Sequence, residues 1–135
     1  MAGSFHFELV SPERLLISED VDAVLVPGSE GEFEVLAGHA PFLSTLRPGL
    51  MRVRGGSKPD RQIFVRGGFA DTGPDGLTVL AEEAIPVEEI DRALIASQIA
   101  DAEEDVKDAK DEATRDDAER NLEHLRDVQR VLGHG

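Results

Sequence analysis

The sequence predicts a β-sandwich followed by a two-helix antiparallel hairpin, an all-β domain with an α-helical appendage. Three observations carry this. As far as residue 86, short apolar runs alternate with turn-forming clusters. From Val87 to Leu132 there is no Gly or Pro. Within that stretch the apolar residues recur at helical spacing. The change falls at Ile85-Pro86, giving a β domain over 1–86 and a hairpin over 87–135.

The first half opens with FHFELV, which alternates and sets Phe5, Phe7 and Leu9 on one side. The runs RLLI, VDAVLV, FEVL, GLMRV, RQIFV and GLTVLA follow, separated by SPE, PGSEGE, RPG, RGGSKPD, RGG and GPDG. Many short strands at this spacing indicate a sandwich or barrel. Asp75-Gly76 signals a hairpin, because glycine accepts positive φ cheaply. Gly67-Gly68 interrupts apolar sequence and is expected to form a bulge. RGGSKPD is expected to be a mobile hairpin tip.

In the second half one stripe runs Ile95, Ile99, Val106, Ala109, Ala113, and another runs Ala118, Leu122, Leu125, Val128, Leu132. Thr114, with Asp117 three residues on, is the expected cap of the second helix, and Gly133 suits its C-terminal end. The join is expected near DEATRDD. The apolar stripes are narrow and rich in alanine, so the pair buries little area and must lean on the β domain or on a partner. A hairpin so lightly held can move.

Composition excludes several functions. With no cysteine, disulfides, thiolate catalysis and sulfur-based zinc sites are impossible. A net charge of -14 leaves no basic surface for nucleic acid and is repelled by anionic lipid. All six aromatic residues are Phe, which disfavours carbohydrate and base-stacking sites. No apolar run approaches the ~20 residues of a membrane helix. The N-terminal MAGSFHFELVSPE lacks an export-signal pattern, and the chain reads as cytoplasmic.

Catalytic constellations are missing as well. His6, His39, His124 and His134 are scattered, with no second histidine or carboxylate at ligand spacing on one element. His6 reads as a surface residue, His124 as lying on the polar side of the second helix, and His134 as terminal. There is no GxSxG elbow and no Walker A loop. Gly28-Ser29-Glu30-Gly31 has the glycines of a phosphate loop, but its carboxylate would repel phosphate, so it reads as a turn. Glu82-Glu83 are adjacent on a strand and point apart. The chain therefore reads as a non-enzyme without catalytic, cofactor-binding or metal-binding residues. His39 has two open readings. It is a loop histidine bonded to nearby backbone, or a contact residue in a stiff loop. Gly38 lets the chain turn, Pro41 stiffens it, and Phe42 and Leu43 present apolar bulk.

The stretch SEGEFEVLAGHAPFLSTLRPG resembles the signature of the epsilon subunit family of F-type ATP synthase, called delta in mitochondria. That signature has a glycine-rich turn, Pro-Gly-His-Ala-Pro, and a Leu-x-Pro-Gly close. FHFELVSPERLL, VRGGFAD and ADAEEDV resemble its opening strand, late glycine pair and first tail helix. The resemblance implies an N-terminal β-sandwich with a C-terminal helix pair, set in the central stalk of a rotary machine. The β domain would grip the gamma subunit and rest on the c-ring, with Glu32, His39, Ala40, Pro41 and Phe42 as rotor interface. The chain would lie on the cytoplasmic face of the bacterial inner membrane, in a peripheral complex without membrane insertion or nucleic acid. The tail would be a brake, reaching the alpha and beta subunits when extended, and in some members held folded by ATP.

Three departures modify these expectations. Ala37 stands where the family has Pro, and Glu34 where it has Gly, altering loop stiffness. The ATP-binding members carry Ile/Leu-Asp-x-x-Arg-Ala, whereas this chain reads Ile90-Asp91-Arg92-Ala93-Leu94-Ile95. Leu94 occupies the arginine position, and Arg92 lies about 200° of helix away, so no ATP site is expected. From Val87 onward there are 15 Asp and Glu against 7 Lys and Arg, so the tail should dock poorly on acidic catalytic subunits. Arg115, Arg126 and Arg130 share a face but stand among carboxylates. Without the loop resemblance, the competing reading is a free-standing β-sandwich adaptor with a partner-binding hairpin.

Overall fold

The computed structural model describes residues 3–134, with side chains through residue 133. Eight strands form one continuous hydrogen-bonded path: β1 (Phe5–Val10), β2 (Leu15–Val21), β3 (Ala23–Gly28), β4 (Gly31–Leu36), β5 (Phe42–Thr45), β6 (Gly49–Arg54), β7 (Asp60–Gly73) and β8 (Gly76–Pro86). The order is β2-β1-β8-β7-β6-β3-β4, with β5 also on β7. Among the described residues, only β1 and β8 pair in parallel. The strands fold into a sandwich because β7 and β8 are long enough to serve both layers. Residues 60–65 of β7 pair with β6, while 69–72 pair with β5.

The change of layer happens at Gly67-Gly68. These glycines do not make a bulge, contrary to expectation. The β7–β8 register runs unshifted from Ile63↔Pro86 to Gly73↔Gly76. Instead the side of β7 that faces the main core switches from Ile63 and Val65 before the glycines to Ala70 after them, with Thr72 buried on that same later side; Phe64 is buried outside that core. The buried side of β8 switches likewise between Ala81 and Ala84. Both glycines have positive φ, 70° and 92°, which turns the strand through a corner without losing its partner. β5 and β6 meet β7 in one common register, broken only at Leu46–Pro48, where the Leu46 N–H donates to the Gly68 carbonyl at 3.0 Å.

Inside lie Phe7, Leu9, Val24, Val26, Met51, Val53, Val65 and Val79, all essentially inaccessible to water. FHFELV thus shows the buried/exposed alternation expected of it, and MRVR in β6 alternates in the same way. The expected mobile tip RGGSKPD is instead tied down. The Glu19 carboxylate accepts from the Ser57 N–H at 2.7 Å, the Ser57 hydroxyl at 3.0 Å and Arg61 at 2.7 Å. Arg61 also donates to the Gly55 carbonyl at 3.3 Å. β2 therefore fastens the β6–β7 hairpin from the opposite layer.

A 3₁₀ turn, Val87–Glu89, leads to α1 (Arg92–Asp108) and α2 (Glu112–His134). The chain divides into compact units over 1–87 and 88–135. Asp91 caps α1, its carboxylate accepting from the Leu94 N–H at 3.1 Å. α2 begins earlier than expected, because Asp111 and not Thr114 is its capping side chain. The Asp111 carboxylate accepts from the Thr114 N–H at 2.8 Å, a bond that holds its carboxyl below the usual aspartate range. The join is accordingly Ala109–Asp111, ahead of the expected DEATRDD. Gly133 lies inside the last turn, with the helix running to His134. The antiparallel pairing is fixed by Arg126 on Glu103 at 2.8 Å and by Arg92, which donates to the Leu132 carbonyl at 3.3 Å. Leu122, Val128 and Leu132 of the expected second stripe are buried. In α1 the buried residue is Ala102, which the expected stripe omitted; it completes Ile95, Ile99, Ala102, Val106 at spacings 4, 3, 4.

Candidate functional site

The loop Ala37–Pro41 joins β4 to β5. Gly38 adopts φ 80°, which turns the chain back on β4. His39 then closes the turn on itself. Its backbone N–H donates to the Leu36 carbonyl at 3.2 Å, and its ring Nδ1 donates to the same oxygen at 2.7 Å. The other ring nitrogen, Nε2, is buried with no hydrogen-bond partner among the described residues. The ring stands edge-on to Phe5 of β1, 5.5 Å away at 76°. The backbone-bonding reading of His39 is therefore what the geometry displays.

The next turn is held from the neighbouring strand. The Thr72 hydroxyl, buried on β7, is within 2.9 Å of the Ala40 carbonyl and 3.2 Å of the Phe42 carbonyl. Phe42 meets the edge of the Phe33 ring at 5.1 Å and 83°. At the far end of β5, Ser29 in the β3–β4 turn contacts the Thr45 hydroxyl at 2.6 Å and donates its N–H to the Thr45 carbonyl at 2.9 Å. Gly28-Ser29-Glu30-Gly31 is a hairpin turn, as its composition suggested. What the loop presents outward is apolar: Phe42 is 51% exposed and Leu43 65%, next to exposed Pro41. The local chemistry is shape and apolar contact, with no side chain placed for proton transfer.

The site residues expected from the sequence do not all cluster. His39, Ala40, Pro41 and Phe42 form one continuous surface. Glu32 sits near the other end of β4, opposite Pro27, on the strand face away from the Phe33 ring that Phe42 packs against. Two contributors were missed. Thr72 fixes the loop backbone from 30 residues away, and no local signal announces it. Leu36 is exposed beside the loop, and its place at the end of an alternating run is such a signal.

The remaining histidines take structural places. His6 is exposed, with Glu8 and Asp20 both at 3.4 Å. The cross-strand register His6↔Asp20 brings in Asp20, whereas Glu8 stands two residues along the same strand and on the same face, contrary to the expectation of no carboxylate at such a spacing. His124 is half-buried on α2, and the His134 side chain lies outside the described residues. Among the described residues no group of three or more His, Asp or Glu is arranged to hold a metal. No helix there is long and apolar enough to cross a membrane.

Residues 4–87 match the family model described as the beta-sandwich domain of the ATP synthase delta/epsilon chain. The chain belongs to the ATP synthase delta/epsilon family. The likeness extends through the helical unit. The chain is 48% identical over 132 residues to an ATP synthase epsilon chain of Parvibaculum lavamentivorans, covering 98% of this chain and 100% of that one. It is 49% identical to the epsilon chain of Mesorhizobium japonicum, with 98% of both covered. Among solved structures it is similar to a chain of the Euglena gracilis mitochondrial ATP synthase, solved with OSCP, F1 and c-ring, with TM-score 0.75 and 30% identity over 96% of this chain and 81% of that one. A chain from the central stalk and c-ring of the Tetrahymena thermophila mitochondrial ATP synthase shares the fold, with TM-score 0.63 at 16% identity, covering 96% and 98%. The loop motif that carried the resemblance thus identified the delta/epsilon family.

Proposed function

We propose that this chain is a non-catalytic rotor subunit of a proton-translocating F-type ATP synthase, coupling c-ring rotation to gamma and the catalytic head. It works at the cytoplasmic face of a bacterial inner membrane, in the peripheral part of the complex. The observation that carries this is the near-half identity to ATP synthase epsilon chains along both units, strands and helices alike. A torque coupler needs a stiff body, and a close-packed sandwich whose layers share two long strands supplies one. Within it, His39 shapes the loop, Ala40 and Pro41 fix its backbone, and Phe42 is the side chain that touches the ring. Glu32 makes a separate contact from the other face of β4. An affinity pull-down of the tagged chain from gently solubilised native membranes tests the reading. Gamma, the catalytic subunits and the c-ring are expected in fixed ratio. Unrelated soluble proteins, or none, would favour the free-standing adaptor.

The helical unit is a movable tail that brakes weakly and binds no ATP. Three of its arginines are already engaged: Arg126 with Glu103, Arg120 with Asp117, Arg130 with Asp127. Deleting residues 87–135 in the assembled enzyme is therefore expected to leave ATP hydrolysis within about twofold of the intact enzyme. A several-fold rise would contradict this. For ATP, the Asp91 carboxylate is occupied as a helix cap, Arg92 is turned to the Leu132 carbonyl, and Leu94 offers phosphate nothing. Calorimetric titration of the isolated chain should show no sub-millimolar binding.

A further inference from the structure

Among the described residues two polar side chains are buried, Ser44 and Thr72, and both hold β5. That strand needs holding. It has four residues, and β7 is its one partner strand among the described residues. Its ladder with β7 ends at Phe42↔Thr72, and the preceding residue, Pro41, has no N–H to carry it further. There the Thr72 hydroxyl takes over from the ladder. It shares its proton between the carbonyls on either side of Pro41, Ala40 at 2.9 Å and Phe42 at 3.2 Å. At the other end the Ser44 hydroxyl donates to the Thr45 carbonyl at 2.9 Å, the oxygen that also accepts the Ser29 N–H.

Stability does not ask for threonine at this position. A hydroxyl inside a sandwich costs free energy until it is bonded, and valine has the same shape without that cost. The carbonyls it holds belong to exposed residues, which water can also satisfy. What the hydroxyl adds is position. His39 holds the chain ahead of the tip, whereas Thr72 fixes the backbone on both sides of Pro41 and so fixes where Phe42 points. We propose that Thr72 is a positioning residue of the rotor, whose hydroxyl keeps the Ala40–Phe42 backbone from yielding when the tip carries torque. Being buried behind the tip, it acts through Phe42 and touches no partner itself. This rests on the reading above, in which Phe42 meets the c-ring.

The test compares variants of the full chain in the assembled enzyme in sealed vesicles, reading protons moved per ATP hydrolysed. Amide exchange and thermal unfolding of the full chain are read alongside. In Thr72→Val the Ala40 and Phe42 amides are expected to exchange about fivefold faster, the opening that one lost hydrogen bond allows. The unfolding midpoint should move by no more than a few degrees, and the proton-to-ATP ratio should fall to about half or less. Thr72→Ser keeps the hydroxyl and should restore both the exchange rates and the ratio. A wild-type ratio in Thr72→Val would overturn the proposal and leave the rotor function standing. An equal loss in Thr72→Ser would overturn it in favour of packing. A Thr72→Val chain that does not fold would overturn it too, since the hydroxyl would then be a requirement of the sandwich itself. Phe42→Ala tests the reading beneath: a wild-type ratio there would remove the ring contact, and the role of Thr72 with it.

Discussion

Gly68→Ala will destabilise the β domain as severely as any single methyl group in this chain can be expected to. At φ 92° an L side chain is strained whatever the space around it, and a Cβ there would overlap the carbonyl oxygen of Leu80. That carbonyl belongs to the paired strand, so neither partner yields without breaking the β7–β8 ladder at the corner. Backbone strain and overpacking of about 1–3 kcal/mol each predict a loss of roughly 4 kcal/mol, or a fall in Tm of roughly 15–30 °C. Gly67→Ala is the comparison. Its φ is also positive, but its Cβ would meet the movable carboxylate end of Glu82, so only the backbone strain remains. Urea unfolding of the two variants checks this. Equal losses would mean that the Leu80 carbonyl can move aside.

Arg61→Leu is expected to cost about 3 kcal/mol, the lower end of what breaking a buried pair costs, because Glu19 retains some solvent contact. The guanidinium is nearly enclosed, and its removal strands the Glu19 carboxylate between two layers with only the Ser57 donors left. Replacing both partners with leucine should recover much of the loss, since no charge is then left behind. The pair also sets a pH dependence. The Arg61 hydrogen bond, with help from Ser57, holds the Glu19 carboxyl below its ordinary value of 4.5. A carboxyl with a depressed folded-state pKa stabilises the fold fully above its unfolded value. That contribution is lost as pH falls through the folded one. Wild type and Glu19→Gln should therefore differ in unfolding free energy at neutral pH and converge as pH drops well below 4.5. A gap that stays constant on acidification would show that Glu19 is not held by charge.

These two sites mark where reading the sequence stops. Period-two alternation exposed β1, short apolar runs between turn clusters exposed β6 and β8, and the four–three spacing of Leu122 through Leu132 exposed α2, because burial on one face imposes such a pattern on any chain. The loop motif was legible too, and it carried the family. The four-residue β5 was not: FLST, four residues bounded by Pro41 and Leu46, reads as loop bulk until β7 is there to pair with it. The cap of α2 was misassigned because Asp111 and Thr114 both fit a capping position, and only hydrogen-bond geometry separates acceptor from donor.

The sequence by itself determined the fold class, the switch from strand to helix after Pro86, and a loop whose residues belong to a rotary-machine family. Only the tertiary structure decided that the glycine pair is a corner and not a bulge. It alone showed that Glu19 reaches Arg61 across 42 positions, and that Thr72 and Phe5 hold the His39 loop. It also brought the buried Thr72 and Ser44 hydroxyls to the two ends of β5. The reason is the same in each case. Periodicity is a property of one segment meeting solvent on one side, whereas corners, ion pairs and bonds across strands depend on which distant segment arrives opposite, and no local pattern encodes that.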